Sequence, residues 1–338
     1  MNSGSWWPTA RRSRFARNNG LALAASLALA GCAALPGGEA RAPAPPPHPL
    51  ESPPPSADLV GRLAFRTALA EDTFVDLAPA LGVGYLELLA ANQSVDPWVP
   101  AAGSRLVVPG AHLLPSGPRE GIVVNTGDRR LYYFAAGAAP RSYPIGIAKE
   151  GYATPQGATK VVRKKEKPTW YPTRSALRDD PTLPRAVPPG PDNRLGEYAL
   201  YLGWPSYLIH GTNDPRGVGR HSSRGCIRLY PDHIQELFAL AGVGTKVRVV
   251  HEPVKLGWVG GELYLEVHPD KERALALDET GKLEREPARD LTPIVTKAAG
   301  AELKRVDWDR VARASLASAG VPVRITTAAG EEGTRAAR

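Results

Sequence analysis

Sulfur is scarce in this chain: 338 residues hold two cysteines, Cys32 and Cys226, and a single methionine. Two cysteines cannot build the disulfide framework of a small secreted scaffold. Without histidines at ligand spacing they cannot hold a structural zinc ion either, so no metal and no cofactor is expected. Apolar runs are short. The longest candidate, Leu21 to Ala30, falls below the ~20 residues needed to span a bilayer, which excludes a multi-span membrane protein. Acid is missing before Glu39, whereas Arg11, Arg12, Arg14 and Arg17 all precede it, so the formal charge of +8 falls to about +4 once that segment is set aside. No basic stripe interleaved with aromatics appears, and nucleic acid is not an expected partner. What remains, 43% hydrophobic and 22% charged, suits a soluble body of about two domains.

Residues 1–31 read as a secretory leader, a basic start followed by an apolar segment. The leader closes on Leu29-Ala30-Gly31-Cys32, which resembles a lipobox; cleavage there would leave Cys32 lipidated and the chain anchored to a membrane of the cell envelope. Residues 32–57 form the anchor and linker, where Pro43, Pro45 to Pro47, Pro49 and Pro53 to Pro55 favour polyproline II over a packed core.

Residues 62–110 carry a small module. Asp72 or Thr73 is placed to cap a helix, Leu77, Leu81, Leu86, Leu89 and Ala90 recur at helical spacing, and Arg105 to Pro109 reads as a closing strand. The βααβ order and the phrase Leu88-Leu89-Ala90-Ala91-Asn92 resemble a LysM domain, a peptidoglycan-binding fold, although the usual Pro-Gly-Asp-Thr opening stands here as Ala70-Glu71-Asp72-Thr73.

Residues 119–252 alternate strands and turns: Gly121 to Asn125, Leu131 to Phe134, Arg141 to Ile145, Tyr198 to Leu202, Tyr207 to Ile209 and Lys246 to Val250, with one helix from Pro231 to Phe238. Residues 253–338 form a C-terminal extension with a helix from Val306 to Ala319, a strand from Val321 to Ile325 and a disordered end. The fold class is mainly β with α+β elements: a β-sandwich or barrel joined to a small βααβ domain.

Chemistry concentrates in one stretch, Ile209-His210-Gly211-Thr212 through Ser223-Arg224-Gly225-Cys226-Ile227-Arg228-Leu229. A thiol reacts as thiolate and needs a base or a positive neighbour. His210, sixteen residues upstream, can take the proton and later return it to a leaving group. Gly211, Gly217, Gly219 and Gly225 suit a loop that folds the two together, and amides around Arg224, Gly225 and Cys226 are placed to stabilise an oxyanion. Ser223 and Gly211 support the loop, and Arg228 either anchors a substrate carboxylate or braces the fold.

The pattern H-G-T, a glycine-rich gap and S-x-G-C-I-R-L resembles the signature of L,D-transpeptidases with a YkuD-type catalytic domain. The likeness extends to Pro144-Ile145-Gly146, Thr154-Pro155-Gln156-Gly157 and Leu195-Gly196, and the segment from Glu252 to His268 is similar to the periplasmic subgroup that attaches lipoprotein to peptidoglycan. One departure is Arg224, where many relatives have histidine; His210 alone carries over as base, and Arg224 is left as a positive neighbour of the thiol. The resemblance implies a cysteine acyl-enzyme on peptidoglycan tetrapeptide stems, forming 3-3 cross-links or attaching an outer-membrane lipoprotein. It also implies a backbone carbonyl orienting the base. A hydrolytic L,D-carboxypeptidase or endopeptidase and a catalytically silent wall-binding lipoprotein stay open as alternatives.

Overall fold

The computed structural model describes residues 53–54, 56–284, 286 and 290–327. The leader, Cys32, most of the linker and the chain end after residue 327 lie outside the described residues.

The described chain opens with β1 (Leu59–Val60), which pairs with β4 (His112–Leu113). Between them, β2 (Ala64–Thr67), α1 (Phe74–Leu81), α2 (Tyr85–Ala91) and β3 (Arg105–Val108) form the βααβ unit, with β2 and β3 antiparallel. Thr73 caps α1 by accepting from the Asp76 amide at 3.2 Å, and left-handed Gly82 ends it. Phe74, Leu77, Leu86 and Leu89 meet Leu106 in one core. Ala274 and Leu277 of a distant helix, α5 (Lys271–Thr280), complete that core, so the unit is closed from outside by the C-terminal part of the chain.

The central body is an eight-stranded mixed sheet. Its strands are β5 (Gly121–Asn125), β6 (Arg130–Phe134), β7 (Arg141–Pro144), β9 (Gly157–Glu166), β10 (Tyr198–Leu202), β11 (Leu208–His210), β13 (Ile227–Arg228) and β14 (Lys246–Val250). They lie in the order β13-β11-β10-β9-β14-β5-β6-β7, parallel at β11–β13 and at β14–β5. The short strands β8 (Ile147–Ala148) and β12 (His221–Ser223) pair beside it. The helix expected from Pro231 is α4 (Pro231–Leu240), and its Ile234 and Leu237 pack against Leu200, Ile209 and Ile227. Strand β9, absent from the strands expected above, runs for ten residues. Its lysines and arginines cover neighbouring rings, Arg163 stacking 3.7 Å above Tyr201 and Lys164 4.3 Å above Phe238. The remaining α3 (Arg174–Asp179) lies in the long connection from β9 to β10.

The C-terminal extension is described through residue 327, apart from residues 285 and 287–289. The hairpin β15 (Val254–Val259) and β16 (Glu262–Val267) takes β17 (Val323–Arg324) as a third strand. Against it pack α6 (Thr292–Ala299) and α7 (Trp308–Ala317), the latter ending short of Gly320. No single described helix is long and apolar enough to cross a membrane.

A fully buried charge cluster joins these parts. Lys255 Nζ lies 2.7 Å from Asp128 and 2.9 Å from Glu266, and it donates to the Leu113 carbonyl and the Tyr132 hydroxyl, both at 2.8 Å. Glu266 also faces His268 at 2.7 Å and His112 at 3.3 Å. Asp128, Glu266 and His268, scattered in sequence, bring ligand-type atoms within 4.8 Å of one another. The Lys255 ammonium sits among them and supplies the cation. A second buried pair, Arg130 with Glu87 at 2.9 Å, fastens α2 to the central sheet.

Candidate active site

The parallel register Ile209↔Ile227 and His210↔Arg228 fixes how this edge of the sheet presents its side chains. Alternation sends Ile209 and Ile227 into the core and leaves His210 and Arg228 on the opposite face. Cys226 precedes β13 by one residue and continues that register beside Leu208, whose backbone bonds toward its sulfur. The half-buried thiol lies 3.5 Å from the Ser206 carbonyl, to which it donates. Folding therefore assembles the cysteine, histidine and arginine of the central motif on one surface.

The loop between them is held by short bonds. Ser223 Oγ donates to the Cys226 carbonyl at 2.6 Å and accepts from the Gly225 amide at 3.1 Å. The Gly225 amide is thus already engaged, leaving those of Arg224 and Cys226 as the other oxyanion candidates. Gly225 itself has φ +116, and a Cβ there would meet Tyr207 Cε1 at 2.8 Å and the Ala153 carbonyl at 2.9 Å. Only glycine fits between that ring and that carbonyl. Thr154 Oγ1 donates to the Gly225 carbonyl at 2.9 Å, which gives the Thr154-Pro155 segment its place over the loop.

His210 is buried, and its Nδ1 lies 2.6 Å from the Gly211 carbonyl. A carbonyl can only accept, so Nδ1 carries the proton and Nε2 presents its lone pair. Gly211 contributes this carbonyl, a role its place as a loop glycine did not suggest. Burial, with the Arg228 charge second, pushes the His210 pKa down to about 3. Burial raises the Cys226 thiol, against a smaller opposing pull from the Leu208 backbone and Arg228. The resting pair is therefore a neutral thiol and a neutral imidazole, and proton transfer belongs to the reaction itself.

Arg224 does not supply the field at the sulfur. It turns outward, with Nε and Nη2 at 3.1 and 3.0 Å from Asp179 Oδ2, an oxygen that the Tyr152 hydroxyl also reaches at 2.6 Å. The cation beside the thiol is Arg228, whose Nε is buried without a hydrogen-bond partner. The roles of Asp179, Tyr152, Ser206 and Tyr207 gave no sequence signal, because they reach the site from three connections outside the central motif. The Arg224–Asp179 pair latches α3 to the cysteine loop. It is partly exposed and screened by solvent, so Asp179→Asn should change global stability little. Faster amide exchange across residues 168–194 is expected in that variant; unchanged exchange would contradict the latch.

Four histidines are held neutral, burial being the first cause in each: fully buried His112 and His210, the latter near 3, and half-buried His221 and His233, each near 4. The unfolded chain binds their protons near pH 6.5 and the folded chain does not, so stability falls as pH drops from about 6.5 toward those values. His210 alone should cost about 2 kcal/mol at pH 5. Urea midpoints at pH 7 and pH 5 measure this, and an unchanged midpoint would contradict neutral burial.

Residues 119–249 match the family model YkuD, the L,D-transpeptidase catalytic domain. "Probable L,D-transpeptidase ErfK/SrfK" of Salmonella typhimurium is 40% identical over 284 residues, covering 81% of this chain and 90% of the relative. Its Escherichia coli namesake is 37% identical over the same shares. "Probable L,D-transpeptidase YcfS" of Escherichia coli is 41% identical over 227 residues, 64% of this chain and 71% of the relative. With that extent of shared sequence, the chain belongs to the L,D-transpeptidase family.

Proposed function

We propose that this protein is a cell-envelope L,D-transpeptidase that works through a thioester on Cys226. The supporting observation is the shared face of Cys226, His210 and Arg228, with the His210 tautomer set by the Gly211 carbonyl. Cys226 Sγ attacks the carbonyl carbon of the L-centre residue in a donor tetrapeptide stem, and His210 Nε2 takes the thiol proton. The tetrahedral oxyanion draws on the amides of Arg224 and Cys226. Collapse breaks the peptide bond, His210 returns the proton to the departing D-alanine amine, and the acyl group stays on sulfur. An amine, from another stem or from the terminal lysine of a lipoprotein, then attacks the thioester and frees the cysteine. Arg228, with its buried Nε unpartnered, suits the carboxylate of the stem.

The leader and Cys32 fit a membrane-tethered protein of the periplasm, and the βααβ unit fits a LysM-like glycan contact. That unit is not a loose appendage. A Cβ on Gly219, in the loop between His210 and Cys226, would come 2.4 Å from Gly84 Cα, and the Tyr230 hydroxyl donates to the Val83 carbonyl at 2.8 Å. Any glycan held by the unit would therefore lie at a fixed offset from the thiol.

The test is mass spectrometry of tetrapeptide muropeptides incubated with the purified protein, with Cys226→Ala alongside. Cysteine-dependent 3-3 dimers, or conjugates with an added lysine-bearing peptide, are expected. Tripeptides alone would assign hydrolysis instead, and no change in either sample would leave a binding protein.

A further inference from the structure

Arg129 is the feature that the acyl-transfer site does not explain. It sits at φ +58 in the turn before β6, is only 2% exposed, and its Nε and Nη2 have no hydrogen-bond partner. Those two nitrogens form one edge of the guanidinium, the edge that grips two oxygens of a carboxylate or phosphate side by side. Nearby acids are committed elsewhere. Glu87 accepts from Arg130 Nη1 at 2.9 Å and from the Gly84 amide at 2.8 Å. Asp128 accepts from the Tyr132 hydroxyl at 2.7 Å and pairs with Lys255. An arginine cannot shed its proton to escape burial, so a cation in this position calls for an anion.

Arg220 and His221 stand on the adjoining segment, and the Arg129 charge acts on the His221 ring. The segment from Ile145 to Ile147 binds Arg129 and Arg220 through their carbonyls, at 2.8 and 3.0 Å, and Ile147 pairs with His221 across β8 and β12. Both His221 ring nitrogens and Arg220 Nε are buried without a hydrogen-bond partner. The Arg220 guanidinium lies 3.6 Å over the Tyr85 ring. Its Nη1 is 2.9 Å from Asp278 Oδ1, but the alignment is too poor for a hydrogen bond. Side chains of Arg220 and Asp278 are 24% and 19% exposed, which opens this corner to solvent, and Lys271 adds positive field. Asp278 is the carboxylate that faces Arg220, with Glu279 beside it, while Glu87 and Asp128 act on Arg129 from their own pairs.

We infer that Arg129, Arg220 and His221 form a binding site for a small oxyanion, a carboxylate or a phosphate, where α2 and α5 meet the sheet. Its occupant neutralises Arg129 and ties both helices to β12, the strand that runs into the cysteine loop.

The test is titration of the purified full-length protein with inorganic phosphate and, separately, acetate, against chloride at matched ionic strength. Isothermal calorimetry and the thermal midpoint are the readouts. A saturable rise in the midpoint is expected with at least one of the two probes, and whichever binds more tightly names the source class. Arg129→Gln should abolish it, Arg220→Gln should weaken it at least tenfold, and Asp278→Asn should tighten it. No saturable effect of either probe, or binding unchanged in Arg129→Gln, would overturn the site. Should Arg129→Gln fail to fold, the opposite shifts in Arg220→Gln and Asp278→Asn carry the test, and the absence of both overturns it.

Discussion

Cys226→Ser is expected to lower the rate of stem-peptide transfer by about 10⁴-fold or more while leaving the unfolding midpoint unchanged. The hydroxyl is smaller than the thiol and fits where Sγ sits, half-buried and within reach of the Ser206 carbonyl. The loop bonds through Ser223 do not use the side chain of residue 226, so the fold has no reason to change. Chemistry has every reason to. His210 is held neutral by burial, and taking a proton from an alcohol is far more uphill for it than taking one from the more acidic thiol. Turnover and unfolding of the same preparation check this. A Cys226→Ser protein that retains more than about a tenth of wild-type turnover would remove the sulfur from the mechanism.

Lys255→Met should destabilise the fold by about 3–5 kcal/mol, the cost of stranding buried charge. Burial by itself would drive the Lys255 ammonium down, but Asp128 and Glu266 outweigh it and hold it above its ordinary value. Burial likewise works against Glu266, and Lys255 overcomes it and keeps the carboxyl well below the usual range. Removing the ammonium leaves two buried carboxylates facing each other and takes away the donor to the Leu113 carbonyl and to the Tyr132 hydroxyl, which keeps only its own bond to Asp128. Because Asp128 lies in the turn between β5 and β6 and Glu266 in the C-terminal hairpin, the loss should loosen the hairpin from the sheet. Urea denaturation gives the magnitude, and hydrogen exchange across residues 254–267 gives the location. A change under about 1 kcal/mol would mean that the cluster is not paired as described.

The contrast between these two sites explains what could be read from residues alone. His210 and Cys226 are legible because the chemistry needs a base, a thiol and a glycine loop, and one short stretch supplies all three. The Pro231 helix and the Lys246 to Val250 strand are legible because their apolar residues keep a clean period. Asp179, Tyr152 and Lys255 are not, since each acts across a long separation and none has a pattern of its own. Arg224 was assigned to the thiol by adjacency, yet its side chain leaves the loop for Asp179, and Arg228, one turn of the strand alternation later, faces the sulfur. Strand β9 was largely hidden because its exposed basic residues follow solvent rather than a core, with Val161 its one buried side chain.

Catalysis through Cys226 requires a covalent acyl bond to its sulfur. Intact-protein mass spectrometry after mixing the purified protein with a tetrapeptide stem, in the absence of any acceptor amine, reads that bond. The mass should rise by the acyl tripeptide, one D-alanine should be released per adduct, and peptide mapping should place the adduct on Cys226. D-Alanine released with no adduct at any time point, or an adduct that persists in Cys226→Ala, would contradict the cysteine acyl-enzyme.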